Sequence, residues 1–329
     1  KLRKDIHCGE FILADARDPD MARGIHALGT AAEPRPSGHR FTSLAEFRQR
    51  IRDVVHQGLV DIMLMSAHTS AILMFDDSPV TPAARANDTT DIHVVRSSVY
   101  TQAPARPFRT ALLDHIQCGF LDGTAADRKR GANLGLYSVT FNNDLALDLQ
   151  TLEAYREFRV EAERKGFRHF LEIFDPNTTD HGIAPEQIGA YVNDMIVRLL
   201  AGVPDRARPV FLKMVYHGPR YTEELVEYDP SIIVGILGGS SGTTYDAFKL
   251  IAEARKYGAR AALFGRKINA AELPLTFIEL LKRIVDGAIT PEEAVRAYHA
   301  EMEKQKVRPH RPLADDLQLT DPAVSYAAR

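Results

Sequence analysis

Two short apolar runs each carry one ionisable residue near the centre. One reads Val210-Phe211-Leu212-Lys213-Met214-Val215, the other Phe170-Leu171-Glu172-Ile173-Phe174. A lysine inside an apolar run is costly unless it is paired or used. Withdrawal from water favours the neutral form of an amine, and a neutral amine attacks a carbonyl to give an imine. A carboxyl beside such an amine can shuttle protons through carbinolamine formation, dehydration and C–C cleavage. Lys213 is therefore a candidate nucleophile and Glu172 a candidate acid/base. The plainer alternatives are a Lys213 turned outward under a covering carboxylate, or a simple interior Lys213–Glu172 ion pair. A buried pair adds little stability of its own, so that second alternative needs a reason to exist.

Two glycine turns follow later apolar runs, Gly238-Gly239-Ser240-Ser241-Gly242-Thr243-Thr244 and Gly265-Arg266-Lys267-Ile268-Asn269. Glycines let backbone N–H groups approach an anion closely, and a helix N-terminus adds a favourable dipole. Gly238, Gly239, Ser240, Gly265 and Arg266 are candidate phosphate ligands, Arg266 through a charge-assisted contact. The alternative is two turns needed for chain reversal alone. Asp15, in Asp15-Ala16-Arg17-Asp18, is placed to bond a substrate hydroxyl or the lysine, or else to cap a loop. Arg109, with Arg106 in Ala105-Arg106-Pro107-Phe108-Arg109, is a candidate for a second anionic end of the substrate, or a salt-bridged loop residue. Tyr137 reads equally as a proton donor and as a core residue.

Other chemistries find less support. The 12 histidines show no H-x-H or H-E-x-x-H spacing, so no metal and no cofactor are expected. The two cysteines, Cys8 and Cys118, have no C-x-x-C spacing and read as free thiols of a reducing compartment. A formal net charge of -3 provides no broad cationic field, which argues against nucleic acid as the main partner. No apolar run approaches the ~20 residues that span a bilayer. Residues 1–10 are polar, without a signal-peptide core, so a cytoplasmic location and no membrane partner are expected.

The elements that must position these residues alternate. Apolar runs at 11–14, 60–65, 92–95, 134–141, 169–174, 210–215, 232–237 and 260–264 read as strands. Helical patterns lie between or after them, at 43–57, 148–165, 185–200, 219–227, 243–257, 271–286 and 291–304. Ser43 and Glu46 form a capping box, and Gly166 closes the stretch with Leu149, Leu152, Tyr155, Phe158 and Ala162 at helical spacing. Eight strands alternating with helices predict a closed parallel (β/α)8 TIM barrel over residues 1–304, with 305–329 as a Pro- and charge-rich tail that wraps a surface or is partly disordered. The alternative, an open doubly wound sheet, lacks a G-x-G-x-x-G after the first strand. Barrel chemistry sits at the carboxyl ends of the strands, beneath long loops such as those expected at 26–42 and 76–91.

Leu212-Lys213, Gly238-Gly239-Ser240 and Phe264-Gly265-Arg266 together resemble class I aldolases of the deoxyribose-phosphate aldolase and tagatose-bisphosphate aldolase type. The pairing of Glu172 on one strand with Lys213 on the next resembles in particular tagatose-bisphosphate aldolase and sulfofructose-phosphate aldolase. The similarity is firmest over 167–288, Asp15 resembles the first-strand aspartate of these enzymes, and the segment 89–143 departs from the pattern. The resemblance implies an imine on Lys213, acid/base work by Glu172, phosphate on the Gly239–Ser240 and Gly265–Arg266 backbone, and a homo-oligomer. The substrate it implies is a phosphorylated ketose, cleaved to a dihydroxyacetone-phosphate-like ketone and an aldehyde. Two other readings use the same barrel: a phosphosugar isomerase or epimerase with Glu172 as base and Lys213 as a fixed charge, and a non-catalytic phosphosugar-binding regulator.

Overall fold

The computed structural model describes residues 2, 5, 8–31, 33–71, 78–239 and 242–325, without the side chains of 323 and 325. Eight strands close into a barrel: β1 (Ile12–Arg17), β2 (Ile62–Met65), β3 (Thr81–Arg85), β4 (Leu134–Thr140), β5 (Arg168–Phe174), β6 (Leu212–Met214), β7 (Gly235–Leu237) and β8 (Ala261–Phe264). Every neighbouring pair is parallel, and β8 pairs with β1 to complete the ring. The chain is thus a (β/α)8 TIM barrel.

Both faces of each strand are buried, so alternate residues fill two different cores. Ala14, Leu64, Ala83, Leu136, Phe170, Phe211 and Leu263 point inward and plug the barrel. Phe170 and Phe211 stack there, with centroids 4.5 Å apart. Leu13, Met63, Tyr137, Leu171, Leu212 and Phe264 face the helices. These include α1 (Leu44–Gln57), α2 (Leu145–Lys165), α3 (Ile188–Leu200), α4 (Pro219–Tyr228), α5 (Thr244–Lys256), α6 (Pro274–Val285) and α7 (Pro291–Lys304). The Ser43–Glu46 capping box forms at the start of α1. Gly166 ends α2 in the left-handed conformation, at φ +62°.

Two strand assignments need correction. Residues 92–95 are not a strand; the third strand is Thr81–Arg85. Its sequence, Thr-Pro-Ala-Ala-Arg, has one β-branched residue and a proline, so it lacks a strand's local signature. It is a strand because its neighbours make it one: Ala83 and Ala84 pair with Leu64 and Met65 on one side, and Arg85 with Leu136 on the other. The expected loop at 76–91 thus contains β3, and beyond it Asp88–Thr89 pairs antiparallel with Pro107–Phe108. The first strand also continues past Ala14 to Arg17.

The described part of the tail folds back over the helices. Its short helices Leu313–Asp316 and Pro322–Ser325 pack on α7 and α5, respectively. Asp316 accepts from the Thr244 N–H at 2.7 Å, and Asp246 from the N–H groups of Thr320 and Asp321 at 2.8 and 3.1 Å. Among the described residues, no helix is long and apolar enough to cross a membrane.

Candidate active site

Strand alternation and register place the ionisable residues. Lys213 lies two residues after Phe211 and Glu172 two after Phe170, so both side chains share the inward face of those rings. Ser138 follows Leu136, and Arg85 follows Ala83, by the same spacing. Glu172 is the register partner of Lys213 on one side and of Ser138 on the other. A polar arc from β3 to β6 therefore rests on the apolar plug, at the carboxyl end of the barrel.

Within the arc the contacts are specific. Lys213 Nζ meets Glu172 Oε1. Ser138 Oγ donates to Glu172 Oε2 at 2.6 Å, and Arg85 Nη2 approaches the same oxygen at 3.4 Å. Arg85 also donates to Ser138 Oγ at 2.9 Å, pairs with Asp18 through Nε, and lies 3.6 Å from Asp88. Lys213 is 7%, Arg85 5% and Glu172 2% exposed. Burial pushes the Glu172 carboxyl up, but Lys213 and Arg85, helped by the hydrogen bonds of Lys213 and Ser138, hold it below the ordinary range. Burial likewise opposes charge on Arg85, and Asp18, Glu172 and Asp88 more than reverse it.

The arc opens into a cleft of about 140 Å³. Gly238, Gly239, Gly265, Arg266, Asp18 and Asn269 line it together with Lys213, Glu172 and Arg85. Gly239 takes φ +60°, a conformation that glycine adopts without strain. Gly238 and Gly265 lie so close to the Phe264 ring and to the Ala16 carbonyl, respectively, that neither has room for a Cβ. Ser240 lies outside the described residues. Arg266, on the helix Arg266–Ala270, is exposed at the rim, and partial burial and the nearby Arg23 hold its guanidinium below the usual arginine value. Neither the Arg23 nor the Arg266 side chain has a hydrogen-bond or ion-pair partner among the described residues. Five cations (Arg17, Arg23, Arg85, Lys213 and Arg266) line the cleft against two carboxylates, Asp18 and Glu172. Asp15 and Asp88 offset Arg17 and Arg85 from outside the cleft, and Arg23 and Arg266, which have no carboxylate partner among the described residues, are the cations that favour an anionic ligand.

Three candidates fall elsewhere. Asp15 points outward in register with Phe264 and Met63, both in the helix-facing layer, and its two oxygens accept from Arg17 Nε at 2.9 and 2.8 Å. Burial pushes its carboxyl up, against the pull of Arg17. The carboxylate of this segment that lines the cleft is Asp18, and Asp15 reaches the site through Arg17, which donates to Asn269 at 2.5 Å. Arg109 is not among the cleft residues; it pairs with Glu161 of α2 at 2.8 Å and lies over the Phe158 ring. Tyr137 faces outward, packed on Tyr155 and Phe158, and burial pushes its hydroxyl up. Among the described residues, no group of three or more His, Cys, Asp or Glu side chains could hold a metal ion.

Sequence reasoning missed Arg85, Ser138 and Asp18 as site residues. Ser138 shares a strand with Tyr137 and differs from it only in parity, and Asp18 becomes the first loop residue once β1 is extended. Arg85 left no signal, because the strand that carries it has none.

No protein-family model matches the chain, and no curated protein matches its sequence. Solved structures do match in shape. A fructose-bisphosphate aldolase from Slackia heliotrinireducens superposes with a TM-score of 0.63 at 14% identity, over 92% of this chain and 88% of that one. An archaeal fructose 1,6-bisphosphate aldolase gives 0.61 at 14%, over 87% and 98%. Another archaeal one, with its catalytic lysine covalently bound to the carbinolamine intermediate of the substrate, gives 0.60 at 14%, over 86% and 97%. At such identity the likeness defines the fold, a TIM barrel shared with these aldolases.

Proposed function

We propose that the chain is a class I aldolase, a lyase that breaks or forms a C–C bond of a phosphorylated ketose through an imine on Lys213. One observation carries this reading. A lysine on the inner wall of the barrel mouth touches a carboxylate and opens into a cleft with an excess of cations. Lys213 gives a proton to Glu172 and attacks the ketone carbon; Glu172 returns that proton to the carbinolamine hydroxyl, which leaves as water and gives an iminium. Glu172 then removes the proton of the hydroxyl on the far carbon of the bond to be broken. That bond breaks, an aldehyde leaves, and its electron pair moves into the iminium to form an enamine. Glu172 passes the proton it took to the enamine carbon, and hydrolysis of the imine releases the ketone and restores the amine. The phosphate is seated by the Gly238–Gly239 and Gly265–Arg266 turns, with Arg23 beside them.

Borohydride trapping with dihydroxyacetone phosphate, read by peptide mass spectrometry, tests the proposal. The expected result is a reduced adduct on Lys213, absent from Lys213→Met. Turnover of a phosphosugar with no adduct would instead favour the isomerase reading, in which Lys213 is a fixed charge. Fructose 1,6-bisphosphate, the sugar in the names of the two archaeal neighbours, is the first substrate to assay.

A further inference from the structure

We infer that Arg85 is a positioning residue: with Ser138 it clamps one oxygen of Glu172, so that the other becomes the working base once Lys213 is consumed as an imine. The inference rests on the imine reading of Lys213. The two oxygens of Glu172 have different partners. Oε2 takes the Ser138 hydroxyl at 2.6 Å and Arg85 Nη2 at 3.4 Å, whereas Oε1 takes Lys213. The terminal torsion of a glutamate is soft, so its orientation must come from such partners. Arg85 is itself fixed, by Asp18 at Nε, Ser138 and Asp88 at Nη1, and the Asn87 carbonyl at 3.4 Å. Among these contacts of Glu172, the one to Lys213 is altered by the chemistry. An ammonium carries three N–H groups and an iminium nitrogen one, directed along the new C=N plane. Imine formation therefore loosens Oε1 and leaves Oε2 held, which presents a free carboxylate oxygen to the bound substrate.

Arg85 on this account matters less while the imine forms, when Lys213 still meets Oε1, than when Glu172 moves protons afterwards. Dihydroxyacetone phosphate separates the two stages. Borohydride trapping on Lys213 reads imine formation, and exchange of the C3 proton in D2O, followed by NMR, reads the base step. In Arg85→Met, trapping at saturating dihydroxyacetone phosphate is expected to fall several-fold at most, and exchange about 100-fold, in line with the loss of an oriented base. Removal of a cation from beside a carboxylate raises its pKa, so the acid limb of the exchange rate moves up by about 1 pH unit or more. Arg85→Lys, which restores the charge, should bring the limb back toward its original position.

Arg85→Met leaves Asp18 and Asp88 without their cation and can fail to fold. Ser138→Ala, which deletes one donor to Oε2, then decides: its limb should also move up, by less. An unmoved limb in whichever variant folds, or trapping and exchange falling together, overturns the role of Arg85. Absence of any adduct in the unsubstituted chain overturns instead the imine reading beneath it.

Discussion

Arg85, Ser138, Glu172 and Lys213 are buried polar groups, and each exists in the barrel because the others satisfy it. Removing one partner strands the rest. Glu172→Leu would leave Arg85 and Lys213 facing an apolar side chain, and breaking a buried pair in this way costs about 3–5 kcal/mol. Lys213→Met should cost less, since Glu172 keeps Arg85 and Ser138; urea unfolding of the two variants orders them. The depressed carboxyl of Glu172 also sets a pH dependence. A carboxyl whose folded pKa lies below its unfolded value of about 4.3 stabilises the fold fully above that pH. The contribution is lost as pH falls through the folded value. The stability difference between the unsubstituted chain and Glu172→Gln should therefore hold from neutral pH to about 5 and shrink below about 4, in urea midpoints measured across that range.

At the level of elements, the turns after β7 and β8 flank the cleft, and the two glycines of the first do different work. Gly239 faces open space but holds φ +60°, so Gly239→Ala adds strain without a clash. A left-handed residue with a Cβ costs about 1–2 kcal/mol, and a correspondingly lower melting temperature is expected. Gly238→Ala would drive a Cβ into the Phe264 ring of β8 and should be the more damaging of the two. The anion seat proposed between these turns should bind inorganic phosphate, measured by calorimetry. Arg266→Met should weaken that binding about 10-fold or more, the usual size of one charge-assisted contact. Unchanged phosphate affinity would remove Arg266 from the seat.

At the level of the whole molecule, the described tail packs on the helices, away from the cleft. The tail satisfies Asp246 and the Thr244 N–H and buries Val324, yet none of its described residues lines the cleft. A chain ending at residue 304 should therefore melt about 5 °C or more lower while still forming the adduct on Lys213. Much of this architecture could be read without coordinates, because its causes are local. Apolar runs mark seven of the eight strands, a capping box marks α1, helical spacing marks α2, and a charge within an apolar run marks Lys213 and Glu172. Facts with no local cause stayed out of reach. β3 is a strand only by virtue of β2 and β4, so Arg85 could not be seen as part of any site. The inward or outward turn of a side chain depends on where a strand begins and how it is registered, which sets Asp15 against the helices and brings Asp18 to the cleft. Composition and spacing act along the chain, whereas parity and register arise between strands far apart in it. Closure of the barrel, which joins β8 to β1, settles them for all eight at once.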